Sequence, residues 1–175
     1  GQGGAIVTND DTLSFKLRRL KDFGRNEGGL DIHDSIGYNF KFTDIQAVIG
    51  IEQMKKLSWR VNRKKEIFSL YEHLLSGVSR LKLFEHNLAH TSPWFIDSIV
   101  EQRDELMSFL NTRGIGSRVM YPPLNKQKAY KQKKLMPVSD LIGLKGLWLP
   151  SSSQLSDNQI QIICSIIKEF YNNLK

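Results

Sequence analysis

Between Thr43 and Gly77 the chain runs for more than 30 residues without a proline, and its apolar residues recur at helical spacing. Thr43 and Gln46 have the spacing of a capping box, which satisfies two amides at the start of a helix. So long a stretch predicts a helix that bridges two structural parts, with a bend near Ser58. We therefore expect one part of the chain before this helix and another after it.

The composition is that of an ordinary globular protein, since 40% of the 175 residues are hydrophobic and 25% are charged. A chain of this length can bury about 70% of its unfolded surface and so form a core. No window approaches 18 consecutive apolar residues, so no membrane-spanning helix is expected. The single cysteine excludes an internal disulfide framework and favours a reducing compartment, the cytoplasm. The chain begins without Met and without a secretory signal, and we interpret this start as a cut.

The residues before the long helix predict a strand, a helix and an unusually long loop. Ala5–Val7 is a short apolar run typical of a strand. A helix follows, capped by Asp10 or Asp11 and closed by Gly24. Residues 25–42 have three glycines and no sustained periodicity, and loops of this length are commonly functional.

After Gly77 the pattern alternates between short strands and helices. The predicted segments are 81–84 and 94–100 as strands, 101–113 as a helix, and 119–121 and 144–150 as extended pieces. The last helix has a capping box at Ser156 and Gln159, with Leu155 and Ile160 placed as a hydrophobic staple. The whole pattern predicts an α/β or α+β chain in two unequal parts.

Most familiar sites are absent from the sequence. It contains no G-x-S-x-G, H-E-x-x-H, G-x-G-x-x-G or P-loop motif. Of its four histidines, His86 and His90 are four residues apart, but they lie in a turn-rich segment where this spacing does not place them on one face. Cys164 lies on the apolar stripe of the last helix and is predicted to be a core residue. Gly37–Lys41, in contrast, places an amide and a cation just before a capped helix, where anions bind readily. The loop before Thr43 is therefore our candidate anion site.

The formal net charge is +7, and eleven of the 25 Lys and Arg residues fall into two basic clusters. They comprise Lys55, Lys56, Arg60, Arg63, Lys64 and Lys65, and then Lys126, Lys128, Lys131, Lys133 and Lys134. Nucleic-acid binding is a weaker interpretation, because Tyr130 is the only aromatic residue interleaved with the lysines of the second cluster. We favour a solvated face or an attraction for anionic small molecules.

Three blocks carry a resemblance to a known family. They are residues 1–10 (GQGGAIVTND), 37–47 (GYNFKFTDIQA) and 118–125 (RVMYPPLN). With these blocks, and with Leu149–Ser151 before the last helix, the chain resembles the second half of the PLP-dependent nucleotide-sugar aminotransferases. This is the DegT-type family that includes perosamine synthases. The order and spacing of the blocks fit over essentially all 175 residues.

The resemblance implies the C-terminal part of a fold-type-I PLP aminotransferase, with an α/β fold. Residues 1–42 would be the tail of the large PLP-binding domain with its active-site loop. Residues 43–77 would be the long connecting helix, and residues 78–175 the small C-terminal α/β domain. The complete enzyme would be a homodimer that binds pyridoxal 5'-phosphate at the subunit boundary and transfers an amino group from glutamate to a nucleotide-linked keto-deoxy sugar.

The resemblance also implies site residues. Asn39 would reach the PLP phosphate of the partner subunit, with Lys41 beside it, and Arg118, Tyr121 and Asn125 would face the sugar nucleotide. The chain departs from the usual family pattern in having Gln2 for Glu, Lys41 for Arg and Asn125 for His.

The family's Schiff-base lysine would lie just upstream of residue 1. No residue of this chain is therefore assigned a catalytic role, and we expect the chain alone to be inactive. The alternative is a non-catalytic module that folds independently and serves dimerisation or interaction.

Overall fold

The computed structural model describes residues 2–26, 28–130 and 134–174. The chain divides into two compact units, Gly1–Leu57 and Ser58–Lys175, with the boundary inside the predicted connecting segment 43–77. Gly1 of the first block, and Lys131 and Lys133 of the second basic cluster, lie outside the described residues.

The described part of the first unit has two complete helices, α1 (Asp11–Lys21) and α2 (Asp44–Met54). The Asp10 carboxylate accepts the Leu13 amide at 3.0 Å, which confirms the predicted cap of α1. Thr43 and Gln46 form the predicted capping box at the start of α2. Both helices therefore begin where the sequence indicates.

This first unit has no apolar core among its described residues. Neither α1 nor α2 has a buried side chain, and Ile45 on α2 is 76% exposed. The predicted strand at Ala5–Val7 is wrong, since this segment is irregular and Val7 is 92% exposed. A strand needs a neighbour for its backbone hydrogen bonds, and no described segment pairs with it.

The second unit has an alternating order of helices and strands. Its elements are α3 (Leu57–Leu75, which begins one residue before the boundary), β1 (Leu81–Leu83), β2 (Ile96–Val100), α4 (Arg103–Asn111), β3 (Arg118–Val119), α5 (Pro137–Lys145), β4 (Gly146–Leu149) and α6 (Asp157–Asn173). Two single 3₁₀ turns, Leu124–Lys126 and Lys128–Tyr130, lie between β3 and α5.

The four strands form one antiparallel sheet in the order β1-β2-β4-β3. Along β2 the side chains of Ile96, Ser98 and Val100 are buried and those between them are half-buried, as the strand period of two requires. The core also takes one face of each of α3, α4 and α6. Its largest fully buried side chains are Tyr71, Phe68, Ile67, Ile96, Leu106, Leu110, Leu147, Ile160 and Ile167.

The capping box at Ser156 and Gln159 and the buried position of Cys164 confirm the prediction for the last helix. The predicted single helix over 43–77 is in fact two helices. The Lys56 amide donates to the Gln53 carbonyl, three residues back, which tightens the last turn of α2 and ends it. This break lies close to the bend expected near Ser58.

The α5 helix was not predicted from the sequence. Pro137 at its first position and Gly146 just after its end are ordinary boundary signals for a helix. Its residues are mostly exposed and have little apolar periodicity, so the helical pattern is weak.

Candidate functional sites

The long loop after α1 is held closed at its base by two glycines. Gly24 has a φ of +78°, and a Cβ there would lie 1.8 Å from the Ser35 carbonyl oxygen. A Cβ on Gly37 would lie 2.0 Å from the Gly24 amide nitrogen. The Tyr38 amide also donates to the Leu20 carbonyl at 2.7 Å. Backbone thus packs on backbone here, and residues 38–41 run beside the end of α1.

Asp22 is the centre of an ion-pair cluster at this base. Its Oδ1 accepts from Lys41 Nζ at 2.8 Å and from an Arg25 guanidinium nitrogen at 2.7 Å, and Arg25 also pairs with Asp31 at 3.0 Å. The hydrogen bond from Lys41, followed by that from Arg25, lowers the pKa of Asp22 below 3.8. Because the pKa of Asp22 is lowered in the folded protein, these pairs are present at neutral pH, and their stabilising contribution is lost only as pH falls through the lowered folded-state pKa.

The two predicted cofactor residues both lie next to Asp22. The Asn39 backbone forms an isolated antiparallel bridge with Asp22, and the Lys41 ammonium forms the ion pair just described. The Asn39 side chain is exposed and has no hydrogen-bond partner within the described ranges. Of the two predicted cofactor residues, Asn39 therefore has a side-chain amide available to donate a hydrogen bond. The charge of Lys41 is partly neutralised by Asp22.

A cavity of about 420 Å³ adjoins this cluster in the first unit. We call it the basic cavity. Its lining residues are Phe15, Arg18, Arg19, Lys21, Asp22, Arg25, Asn26, Gly28, Lys41 and Phe42. Five of these are cations and one is a carboxylate, so the described lining has a strong positive charge.

Arg118 and Tyr121, predicted to face the substrate, meet over one indole ring in the second unit. Arg118 lies opposite Trp148 in the pairing of β3 with β4, and its guanidinium carbon is 5.5 Å from the Tyr121 and Trp148 ring centroids. The Tyr121 ring meets Trp148 edge to face at 4.9 Å. The two exposed side chains are therefore held by a common platform.

That platform was missed in the sequence analysis. Phe95 stacks on Trp148 with centroids 4.3 Å apart, and Trp94 stacks on Phe95 at 4.7 Å. The Trp148 indole nitrogen donates to Asp97 Oδ1 at 2.6 Å. We call Trp94, Phe95, Tyr121 and Trp148 the aromatic wall. Its members come from three separate segments of the chain, in or next to β2, β3 and β4, which the sheet brings together. The available sequence signal was a lone Trp within the apolar β4 run.

The side chain of Asn125, the third predicted substrate residue, makes hydrogen bonds within the second unit. Its amide nitrogen donates to the Lys134 carbonyl at 3.0 Å and to Asp140 Oδ1 at 3.1 Å. The hydrogen bond from Asn125 is also the main cause that lowers the pKa of Asp140. The Asn125 amide oxygen is buried and has no hydrogen-bond partner in the described part of the chain. The side chain is therefore half-buried and tied to the start of α5.

Cys164 and Lys64, two potential nucleophiles of the second unit, both have a structural role. Burial raises the pKa of the Cys164 thiol to about 12, so the thiol is neutral and inert. Desolvation lowers the pKa of Lys64, whose ammonium donates to the Trp94 carbonyl at 2.7 Å and to the Ser151 carbonyl. Lys64 thereby ties α3 to the segments that flank β2 and β4.

Among the described residues, no group of three or more His, Cys, Asp or Glu side chains is arranged to hold a metal ion. None of the helices described is both long and apolar enough to cross a membrane.

The chain matches the family model described as the DegT/DnrJ/EryC1/StrS aminotransferase family over residues 1–168. It is 32% identical over 180 residues to a GDP-perosamine synthase of Vibrio cholerae, covering 98% of this chain and 49% of that protein. The chain spans about half the length of the curated relatives it matches.

Solved structures agree with this match. A DegT/DnrJ/EryC1/StrS aminotransferase from Brucella abortus superposes with a TM-score of 0.84 and 28% identity, over 95% of this chain and 45% of that one. The PLP-form of a Streptococcus pneumoniae protein described as a sugar aminotransferase gives a TM-score of 0.84 at 24% identity, over 98% and 46%. The fold is thus mixed α/β and matches about half of such enzymes. The chain belongs to the DegT/DnrJ/EryC1/StrS aminotransferase family.

Proposed function

We propose that this chain is part of a PLP-dependent aminotransferase that moves an amino group from glutamate to a nucleotide-linked keto-deoxy sugar. The family match over residues 1–168 carries the proposal, and the name of the Vibrio cholerae relative favours a perosamine synthase-like substrate. The sugar, the nucleotide and the amino donor are proposed for the complete protein. This chain spans about half the length of the curated relatives.

The residues of the first unit fit the phosphate of PLP, the cofactor of this family. A phosphate requires hydrogen-bond donors and positive charge, and Asn39 and Lys41 offer both just before the start of α2. We propose that the exposed Asn39 amide donates to the phosphate, while Lys41 adds charge from its position against Asp22. When bound, PLP supplies the electron sink for transamination, and these residues only orient it.

On the substrate side, Arg118 and Tyr121 have the chemistry for a sugar nucleotide. Arg118 is exposed and held over two rings, so its guanidinium can pair with a phosphate without much loss of side-chain freedom. The Tyr121 hydroxyl can orient a sugar hydroxyl. Asn125 is a weaker candidate, because Asp140 and the Lys134 carbonyl already take its donor hydrogens.

We further propose that no lysine of this chain is the Schiff-base lysine. Lys41 is ion-paired with Asp22, and Lys64 is bound to two backbone carbonyls. Lys16 and Lys21 are exposed side chains of α1. The chain would then supply the phosphate-side and substrate-side walls of a site whose catalytic lysine lies elsewhere in the complete protein.

The first unit exposes many apolar residues, and this indicates that another part of the complete protein covers them. A helix that is hydrophobic around its circumference is normally buried, yet α2 exposes Ile45, Val48, Ile49, Ile51 and Met54. We propose that these residues are covered in the complete cytoplasmic enzyme, where residues 1–42 complete the large domain and two subunits form a homodimer. Residues 43–77 would connect this domain to the small domain formed by residues 78–175.

The alternative function is an independently folding, non-catalytic module. One observation favours independent folding, and it applies to the second unit only. Residues 58–175 have a continuous buried core, whereas residues 2–26 and 28–57 have none. Residues 58–175 expressed alone are therefore expected to unfold cooperatively in urea, and residues 1–57 alone to show no cooperative transition. Circular dichroism during a urea titration measures both, and cooperative unfolding of 1–57 would contradict this division.

The proposed function is tested first by the role of Asn39. In the complete protein, Asn39→Ala is expected to weaken PLP binding by about 10–100-fold, the cost of one hydrogen bond to a charged group. The matched control is Asn9→Ala, at another exposed asparagine of the same unit, and it should leave PLP affinity unchanged. Titration followed by cofactor absorbance measures both constants, and equal affinities for the two variants would remove Asn39 from the site.

The reaction itself is measured as glutamate-dependent formation of the amino sugar. The complete protein is expected to form it, and the 175-residue chain alone to form none above the blank. Turnover by the chain alone would overturn the proposed division of the site.

A further inference from the structure

A row of three side chains crosses the sheet of the second unit. Strand pairing places Asp97 of β2 opposite Trp148 of β4, and Trp148 opposite Arg118 of β3. Side chains at directly paired positions lie on the same face of a sheet, so these three are neighbours. Asp97 therefore bonds to the edge of the indole whose ring contacts Arg118 and Tyr121.

The two oxygens of the Asp97 carboxylate face different groups. Oδ1 accepts from the Trp148 indole nitrogen at 2.6 Å. Oδ2 lies 3.8 Å from Nε2 of His86, which follows β1 in the chain. The side chains of His86 and Asp97 are 22% and 23% exposed. Because the carboxylate is one rigid group, a rotation that brings Oδ2 towards His86 also moves the oxygen that holds the indole.

His86 Nε2 is buried and has no hydrogen-bond partner among the described residues. A buried polar atom without a partner is costly, and it calls for a physical explanation. An N–H···O bond needs a separation of about 2.7–3.2 Å, so Nε2–H and Oδ2 have to approach by only about 1 Å. The Phe68 ring meets the imidazole edge to face at 5.0 Å and limits its movement on the other side. The geometry thus presents His86 as a donor poised beside Asp97.

Asp97 is the acid that the charge of His86 would act on first. Within the described ranges, no other carboxylate lies within ion-pair distance of His86. Glu85, the preceding residue, has a side chain that is 93% exposed. Two cations lie on the surrounding elements. Lys64 on α3 is bound to two backbone carbonyls, and Arg118 on β3 lies over the Trp148 ring.

We propose that His86 and Asp97 are positioning residues for Arg118 and Tyr121. His86 fixes the Asp97 carboxylate, the carboxylate fixes the Trp148 indole, and the indole sets the orientation of the two side chains above it. This inference deepens the proposed function and rests on it for one point, that Arg118 and Tyr121 face the substrate. The linkage from His86 to the indole is a property of the second unit alone.

The linkage is tested by nuclear magnetic resonance of the 175-residue chain between about pH 5 and 8, where histidine usually titrates. The Trp148 indole N–H signal is identified by its absence from the spectrum of Trp148→Phe, and the His86 ring by its Overhauser contacts with Phe68. We expect the Trp148 signal to shift with the same midpoint as the His86 ring. The indole signal of Trp59, whose ring is exposed on α3, should not follow that midpoint.

Three variants assign the shift to the proposed contacts. His86→Gln is expected to abolish it. Asp97→Asn keeps an oxygen acceptor for the indole and removes the charge, so it should abolish the shift as well. His90→Gln is the matched control at an exposed histidine nearby in the chain, and it should leave the shift unchanged. A Trp148 signal that does not titrate in the unsubstituted chain, or that titrates equally in His86→Gln, would overturn the linkage.

The positioning role is tested by the kinetics of the complete protein. His86→Gln is expected to raise KM for the sugar nucleotide about three- to tenfold and to change kcat less than about twofold, because binding groups are misplaced and the chemistry is not. In the unsubstituted protein KM should rise as pH increases through the His86 midpoint, and His86→Gln should lack this step. His90→Gln should behave like the unsubstituted protein.

The outcomes separate this inference from the proposed reaction. A purely structural role of His86 would lower stability and leave the pH dependence of KM unchanged, and that result would overturn the positioning role. Absence of transamination by the complete protein would reject the proposed reaction. The indole titration needs neither cofactor nor substrate, so it would still decide whether His86 controls the indole.

Discussion

Trp148→Ala is expected to lower the free energy of unfolding of residues 58–175 by about 3–5 kcal/mol, the usual range for removing a buried aromatic side chain. Trp148 is 6% exposed, stacks on Phe95 at 4.3 Å and donates to Asp97 at 2.6 Å. Its loss leaves a void beside the Phe95 ring and removes the platform under Arg118 and Tyr121. Urea unfolding followed by circular dichroism measures the change.

Two variants separate packing from hydrogen bonding in this prediction. Trp148→Phe keeps an aromatic ring and loses the N–H donor, so it is expected to cost about 1 kcal/mol beyond the smaller ring's lost contacts. Trp94→Ala removes a tryptophan of the same aromatic wall that is 76% exposed, and it is expected to cost less than about 1 kcal/mol. A similar loss of stability for Trp94→Ala and Trp148→Ala would show that the wall has no buried anchor.

Gly24→Ala is expected to destabilise the closed base of the 25–42 loop by roughly 3 kcal/mol or more, and so to open it. The left-handed backbone costs an alanine about 1–2 kcal/mol, and overpacking adds about 1–3 kcal/mol. The overpacking is severe here, because the new Cβ would lie 1.8 Å from a backbone oxygen that cannot move alone. Hydrogen exchange of the Tyr38 and Phe40 amides, which donate to Leu20 and Lys21, reports the opening.

Two other glycines of the same unit provide matched controls. Gly29 has a φ of +93° and open space where an alanine methyl group would lie, so Gly29→Ala should cost about 1–2 kcal/mol of backbone strain alone. Gly50 lies inside α2 with open space around it, and Gly50→Ala should stabilise the helix by about 1 kcal/mol. Unchanged exchange of the Tyr38 and Phe40 amides in Gly24→Ala would show that the two glycines at the base do not hold the loop.

Local signals predicted much of the secondary structure. The caps at Asp10, Thr43 and Ser156 were readable because a cap is a contact between residues two or three positions apart. The strand at Ala5–Val7 was mispredicted for the opposite reason. An apolar run shows that a segment can pair, whereas pairing needs a partner that local sequence does not specify.

The candidate sites were predictable in part. Asn39 and Lys41 follow a glycine and precede a capped helix, so sequence reasoning could mark them as an anion site. That Lys41 is held by Asp22 depends on the fold of the intervening loop. The aromatic wall was missed because strand register brings Trp148 beside Asp97 and Arg118. Asn125 stays a predicted substrate residue, and its hydrogen bond to Asp140, fifteen residues along the chain, depends on the fold and was not predictable from the sequence.

The measurement that tests the central claim most directly is borohydride reduction of the 175-residue chain with one equivalent of PLP, followed by peptide mass mapping. We predict no stoichiometric adduct on any single lysine, because under the proposed function the catalytic lysine lies elsewhere in the complete protein. Lys64 is the most informative residue to map, since its pKa is lowered by desolvation. A saturable adduct of one PLP per chain on a single lysine, abolished by substitution of that lysine with Arg, would contradict the account.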